Sequence, residues 1–121
     1  MAGLYGDFAA KYVVQGAVNV ITSAWTPLRV GSTNLEDRRH VRIFVRGKIG
    51  SAVALAYANK NEDGTFTTPT TATADIRLTT VLPGNSLYTE PLSDKVTVYG
   101  KLLDKVANTD SSVRVIITEY K

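Results

Sequence analysis

The residues in this chain that could do chemistry are few, and their spacing limits what they can do. His40 is the only histidine. It stands in the run Arg38-Arg39-His40-Val41-Arg42, where cationic neighbours penalise the imidazolium that a general base must form. With no cysteine in the chain, disulfides and thiolate metal sites are excluded. A zinc site around His40 would have to be completed by carboxylates alone. A Ser-His-Asp triad meets in space and leaves no fixed spacing, but the Gly-x-Ser-x-Gly elbow is absent. The carboxylates come as adjacent pairs, Glu36-Asp37 and Glu62-Asp63. On an extended chain adjacent side chains point to opposite sides, so each pair solvates a loop instead of sharing a proton. Residues 59–65, with Asp63-Gly64 at the tip, lack the full calcium-loop pattern and read as a hairpin turn. No glycine-rich loop is built to cradle a phosphate. The expectation is a protein that is not an enzyme and has no catalytic residues, no cofactor and no metal.

What remains is surface. Residues 39–46 alternate, so Val41, Ile43 and Val45 fall on one side of a strand and Arg42, Phe44 and Arg46 on the other. Single-stranded nucleic-acid binders interleave aromatic and basic residues in this way; an ordinary solvated or interfacial strand looks the same. The charge balance is mild, 14 basic against 11 acidic residues for a net +3, and the arginine run is expected to be a solvated strand face. Trp25 is the only tryptophan; beside Pro27-Leu28 it is expected to anchor a core or an interface, with sugar stacking as the alternative. Tyr5 and Phe8 punctuate a small, glycine-bearing N-terminal segment, an arm that is either a disordered terminus or docks on a neighbouring subunit. The candidate interface residues are Tyr5, Phe8, Tyr12, Trp25, Arg42, Phe44 and Arg46.

The elements that must position them are strands. Residues 12–21 are β-branched and partly alternating, with Gly16 as a bulge or close-approach point. Pro27 confines its segment to a sheet edge or a strand start. Residues 31–38 form a polar loop. Residues 49–58 place Val53, Leu55 and Tyr57 on one face and Ala52, Ala54 and Ala56 on the other, an alanine face suited to close packing against another backbone or subunit. Residues 65–75 are a threonine-rich excursion in which Pro69 prevents a central strand. From Leu82 the chain reads strand, Pro83-Gly84 turn, short strand, Pro91 corner, and a longer strand with Val96 and Val98 on one face. Residues 113–120 form the last strand. About seven to eight strands at near-regular spacing predict an all-β antiparallel β-sandwich, jelly-roll-like or Ig-like, over residues 12–121, with residues 1–11 as an extended N-terminal arm. No secretory signal or membrane span is evident.

Ile21-Thr-Ser-Ala-Trp25-Thr-Pro27-Leu28, then Arg38-Arg39-His-Val-Arg-Ile-Phe-Val, resembles small virion proteins of tailed bacteriophages. So do Leu82-Pro-Gly-Asn-Ser-Leu87, Leu92-Ser-Asp-Lys-Val-Thr-Val-Tyr99-Gly and Val113-Arg-Val-Ile-Ile-Thr-Glu119. The resemblance covers roughly residues 20–120 through short motifs that mark strand order. It implies a non-enzymatic structural component of the virion, above all a capsid decoration or shell protein. Such a protein is assembled in the host cytoplasm and partnered by other virion proteins and copies of itself as a homo-oligomer, with no membrane partner. The residues Asn61–Asp75 are longer than the matching connection in those relatives. Two alternatives stand beside it. One is a carbohydrate- or receptor-binding module with Tyr57, Phe66, Tyr88 and Tyr99 in an exposed groove. The other is a nucleic-acid-binding β-domain.

Overall fold

The computed structural model describes residues 13–22, 24–46, 52–70, 75–103 and 112–121, with the backbone alone for residues 75–82. Eight strands follow in order: β1 (Val13–Ile21), β2 (Thr26–Pro27), β3 (His40–Arg46), β4 (Ala52–Asn59), β5 (Asp75–Pro83), β6 (Leu87–Pro91), β7 (Val96–Leu102) and β8 (Ser112–Tyr120). β1, β2, β6 and β8 carry the period-two patterns or prolines that the sequence announced. β7 runs to Leu102; residues 104–111 lie outside the described residues.

The pairing is nested. β1 pairs with β8, β2 with β7, β3 with β6 and β4 with β5, all antiparallel. Two further antiparallel ladders, β3 with β8 and β4 with β7, join these pairs into two four-stranded sheets. Sheet A runs β1-β8-β3-β6 and sheet B runs β2-β7-β4-β5. A long antiparallel ribbon folded over on itself gives this order, which is that of the eight-stranded jelly roll. The architecture is therefore an all-β sandwich, and of the two forms expected it is the jelly roll.

The core lies between the sheets. Val20, Val41, Ile43, Val45, Val113, Val115 and Ile117 of sheet A meet Val53, Leu55, Tyr57, Val98 and Leu102 of sheet B, with Leu28 and Leu92 closing the ends. Prolines sit at edges, as a ladder without their N–H requires: Pro27 in β2, Pro83 ending β5 and Pro91 ending β6.

Gly16 does not form a bulge: the β1–β8 register is unbroken from Val13↔Tyr120 to Ile21↔Ser112. Its role is close approach, because a Cβ there would lie 3.1 Å from Val30 Cγ1. The register irregularity is elsewhere, between Ala54 and Ala56 of β4 against β5. At the tight connection after β5 the left-handed residue is Asn85, locked by Ser86 N–H donation to the Pro83 carbonyl at 3.2 Å. That connection carries the chain from sheet B to sheet A and docks on β3 through paired bonds, Asn85 N–H to the Val45 carbonyl and Val45 N–H to the Ser86 carbonyl. At the other hairpin tip Gly64 is left-handed. Asp63 there accepts from both the backbone N–H and the hydroxyl of Thr65, bonds that hold its carboxyl below the usual range.

Candidate functional site

Register brings the outward side chains of sheet A into rows. Ala17 of β1 pairs with Ile116 of β8, Ile116 with Phe44 of β3, and Phe44 with Leu87 of β6. These four residues form an apolar stripe across all four strands. Leu87 is 54 % exposed, and Phe44 and Ile116 are half-buried. One row to the side run Asn19, Arg114 and Arg46; on the other side run Gln15, Thr118, Arg42 and Thr89. Beyond these come Val13, Tyr120, His40 and Pro91, and Arg42 donates to the Tyr120 hydroxyl at 3.4 Å.

Arg42, Phe44 and Arg46 thus share one solvent-facing patch, as the alternation predicts. Arg114, Ile116 and Leu87 join them from neighbouring strands, which only the register reveals. Arg46 and Arg114 are directly paired, a like-charge juxtaposition that costs stability. Among the described residues, no carboxylate lies on this face of the four strands.

The carboxylates of sheet A point inward instead. Glu119 of β8 is 1 % exposed and Glu90 of β6 is 9 %. Glu119 takes the Arg38 guanidinium at 2.7 Å and the backbone N–H groups of Val30 and Leu35. Arg38 also donates to the carbonyls of Leu92, Ser93 and Val96. The pair is fully dressed in hydrogen bonds, the condition under which a buried ion pair is tolerated. It ties β8 to the two loops that precede β3 and β7. Arg38 is therefore not part of the solvated arginine face that the sequence run suggests. The sequence did hold a signal for Glu119: Val113, Val115 and Ile117 set a period that carries position 119 inward.

Glu90 accepts the Tyr57 hydroxyl across the sandwich, from sheet B to sheet A. Burial, reinforced by this bond to a carboxylate, pushes the Tyr57 phenol far above its usual value of 10.0. The exposed aromatic groove expected from Tyr57, Phe66, Tyr88 and Tyr99 does not form. Tyr57 and Tyr99 are buried, while Tyr88 packs against the core and Phe66 is half-buried in a loop. The alanine face is not available to another subunit either, since Ala52, Ala54 and Ala56 are at most 5 % exposed.

Trp25 lies away from the sheet A patch, immediately before β2 at the edge of sheet B. The Lys101 ammonium stands 5.8 Å from its ring centroid. Its buried indole N–H has no acceptor among the described residues. Tyr5, Phe8 and Tyr12, with the whole arm, lie outside the described residues. His40 is exposed at the start of β3, with Pro91 and Tyr120 as its register neighbours. Among the described residues no group of three His, Asp or Glu side chains is placed to hold a metal. No helix among them is long and apolar enough to cross a membrane. Comparison with protein-family models finds no match, and comparison with curated proteins finds none either.

Proposed function

We propose that the chain is a non-enzymatic structural subunit of a bacteriophage virion, a capsid decoration or shell protein, working through contacts with other virion proteins and with copies of itself. The observation that carries this is the open outer face of sheet A. An apolar stripe rimmed by arginines has the anatomy of a protein interface, in which a water-excluding centre is surrounded by a polar rim and arginine is enriched. The jelly roll supports it by analogy, since the architecture recurs in viral shells, although it also recurs in lectins. The motif resemblance stated above points the same way.

The test is the particle. Peptide mass spectrometry of density-purified virions should find the chain at a fixed stoichiometry. The double variant Phe44→Asp/Leu87→Asp should lower its incorporation more than tenfold while the purified variant still unfolds cooperatively. A chain that never enters particles overturns the proposal.

The same arginines favour one other reading, single-stranded nucleic acid lying along β3 with a base on Phe44. That reading predicts retention on a filter that collapses as salt rises. No retention at low salt eliminates it.

A further inference from the structure

A sandwich of two open sheets has four edges, and this one guards three of them. β2 is two residues long and contains Pro27. β6 is five residues long and ends in Pro91. β5 carries Asp75, Arg77 and Pro83. Short length, charge and proline are the devices that keep an edge from pairing with another chain. The fourth edge, β1, has none of them. Val13-Val14-Gln15-Gly16-Ala17-Val18-Asn19-Val20-Ile21 is nine residues long, without a charge or a proline. It pairs regularly with β8 on one side, and its backbone makes no hydrogen bond on the other side among the described residues. The inward residues Val14, Gly16 and Val18 are only half-buried, whereas their counterparts on β3 and β8 are sealed. Of the inward residues of β1 only Val20 is sealed.

We propose that β1 pairs antiparallel with β1 of a second copy of the chain, about a two-fold axis through Ala17, so that two sheets A fuse into one. This specifies a self-contact for the function proposed above, but it rests on the edge itself. The sequence of the strand is what selects the occupant. Centred on Ala17, antiparallel pairing sets Val13 against Ile21, Val14 against Val20, Gln15 against Asn19 and Gly16 against Val18. Apolar residues meet apolar residues, and the two amides meet each other on the outward face, where cross-strand pairs of like chemistry stabilise a sheet. Charge permits it as well. Through the register with β8, Arg114 continues to Asn19, then to Gln15 and Thr118 of the second copy, so no two arginines are opposed across the axis. A second copy laid face to face on the sheet A patch would instead bring together two faces that carry arginines and, among the described residues, no carboxylate. The edge pairing also makes the apolar row continuous: Leu87, Phe44, Ile116 and Ala17 of one copy meet the same four residues of the other in reverse order.

The chain has no cysteine, which makes the test direct. In an antiparallel pair directly opposed Cα atoms lie about 4.5–5.5 Å apart, within reach of a disulfide. Ala17 is exposed, so Ala17→Cys does not disturb the core. Under mild oxidation of the full chain, Ala17→Cys should convert to a covalent dimer at least tenfold faster than Thr89→Cys, which is also exposed and lies on the far edge strand. In sedimentation equilibrium the unmodified chain should reach twice 13.1 kDa, and Ala17→Lys, which sets two ammonium groups against each other at the axis, should return it to the monomer mass. Equal crosslinking at both positions, or a monomer at all concentrations with no Ala17→Cys crosslink, overturns the pairing. Either result leaves incorporation into particles to be judged separately, and absence from particles with the crosslink intact overturns only the virion role.

Discussion

The two sheets use their outer faces in opposite ways. Along β3 of sheet A burial alternates strictly at the ends, with His40, Arg42 and Arg46 exposed and Val41, Ile43 and Val45 sealed. Along β4 of sheet B, Ala52 to Tyr57 are all buried, whichever side they face. Across from β4, both Val98 and Tyr99 of β7 are buried although they point to opposite sides. The central strands of sheet B are therefore buried on both faces, and the small outward alanines of β4 suit that position. Sheet A is a boundary, and its carboxylates have been turned inward while its arginines face water. The difference teaches where a partner can be accommodated: among the described residues, sheet A keeps a face whose residues can change without touching the core.

Mirror-image substitutions test this contrast most severely. Ala56→Lys on sheet B buries an unpaired ammonium at a fully enclosed position and should abolish cooperative unfolding. Thr89→Lys on sheet A should cost no more than about 1 kcal/mol in urea titration, chiefly from its like-charge pairing with Arg42. Next in size, Glu119→Ala leaves the Arg38 guanidinium buried without its counter-charge and should cost about 3–5 kcal/mol. Gly100→Ala probes the inner side of sheet B. The added methyl would stand 3.1 Å from both Leu28 Cδ1 and Val53 Cγ1, and overpacking there should cost about 1–3 kcal/mol.

Tyr57→Phe removes a bond that joins the two sheets and takes one donor from the Glu90 carboxylate, a loss of about 1–3 kcal/mol. It also has a pH signature. Folding raises the Tyr57 pKa, so above the unfolded value near pH 10 the unfolded chain releases a proton that the folded chain keeps. Stability then falls as pH rises. Tyr57→Phe should flatten that alkaline decline in a series of urea midpoints. Smallest of all, Arg114→Ala relieves the pairing with Arg46 and should raise stability at low salt by about 0.2–1 kcal/mol, an effect that added salt erases.

Strand periodicity made much of this legible in advance. The alternation at 39–46 placed Arg42, Phe44 and Arg46 together, and Pro27 marked an edge correctly. What a single strand cannot disclose is its neighbour. Ile116 and Leu87 joined Phe44 only because β8 and β6 flank β3, a fact that resides in pairings of residues tens of positions apart. Arg38 was misread for a related reason. It precedes β3 and has no place in its alternation, so its burial depends on the distant Glu119 and the carbonyls around residues 92–96. The aromatic groove failed because Tyr57 and Tyr99 occupy packed positions on sheet B, where size and the reach of a hydroxyl serve the interior.

The nested pairing also sets an order of events at the ribosome. Among the described residues β1 is the first strand and its one ladder partner, β8, is the last. β8 is also the strand that joins β1 to β3. At roughly 5–20 residues per second of synthesis, β1 therefore waits on the order of 5–20 s for its partner. Throughout that interval both sides of an uncharged, valine-rich strand are open. Neighbouring nascent chains on one message expose the same strand at staggered stages, so the encounter of two copies competes with completion of the fold until β8 is made.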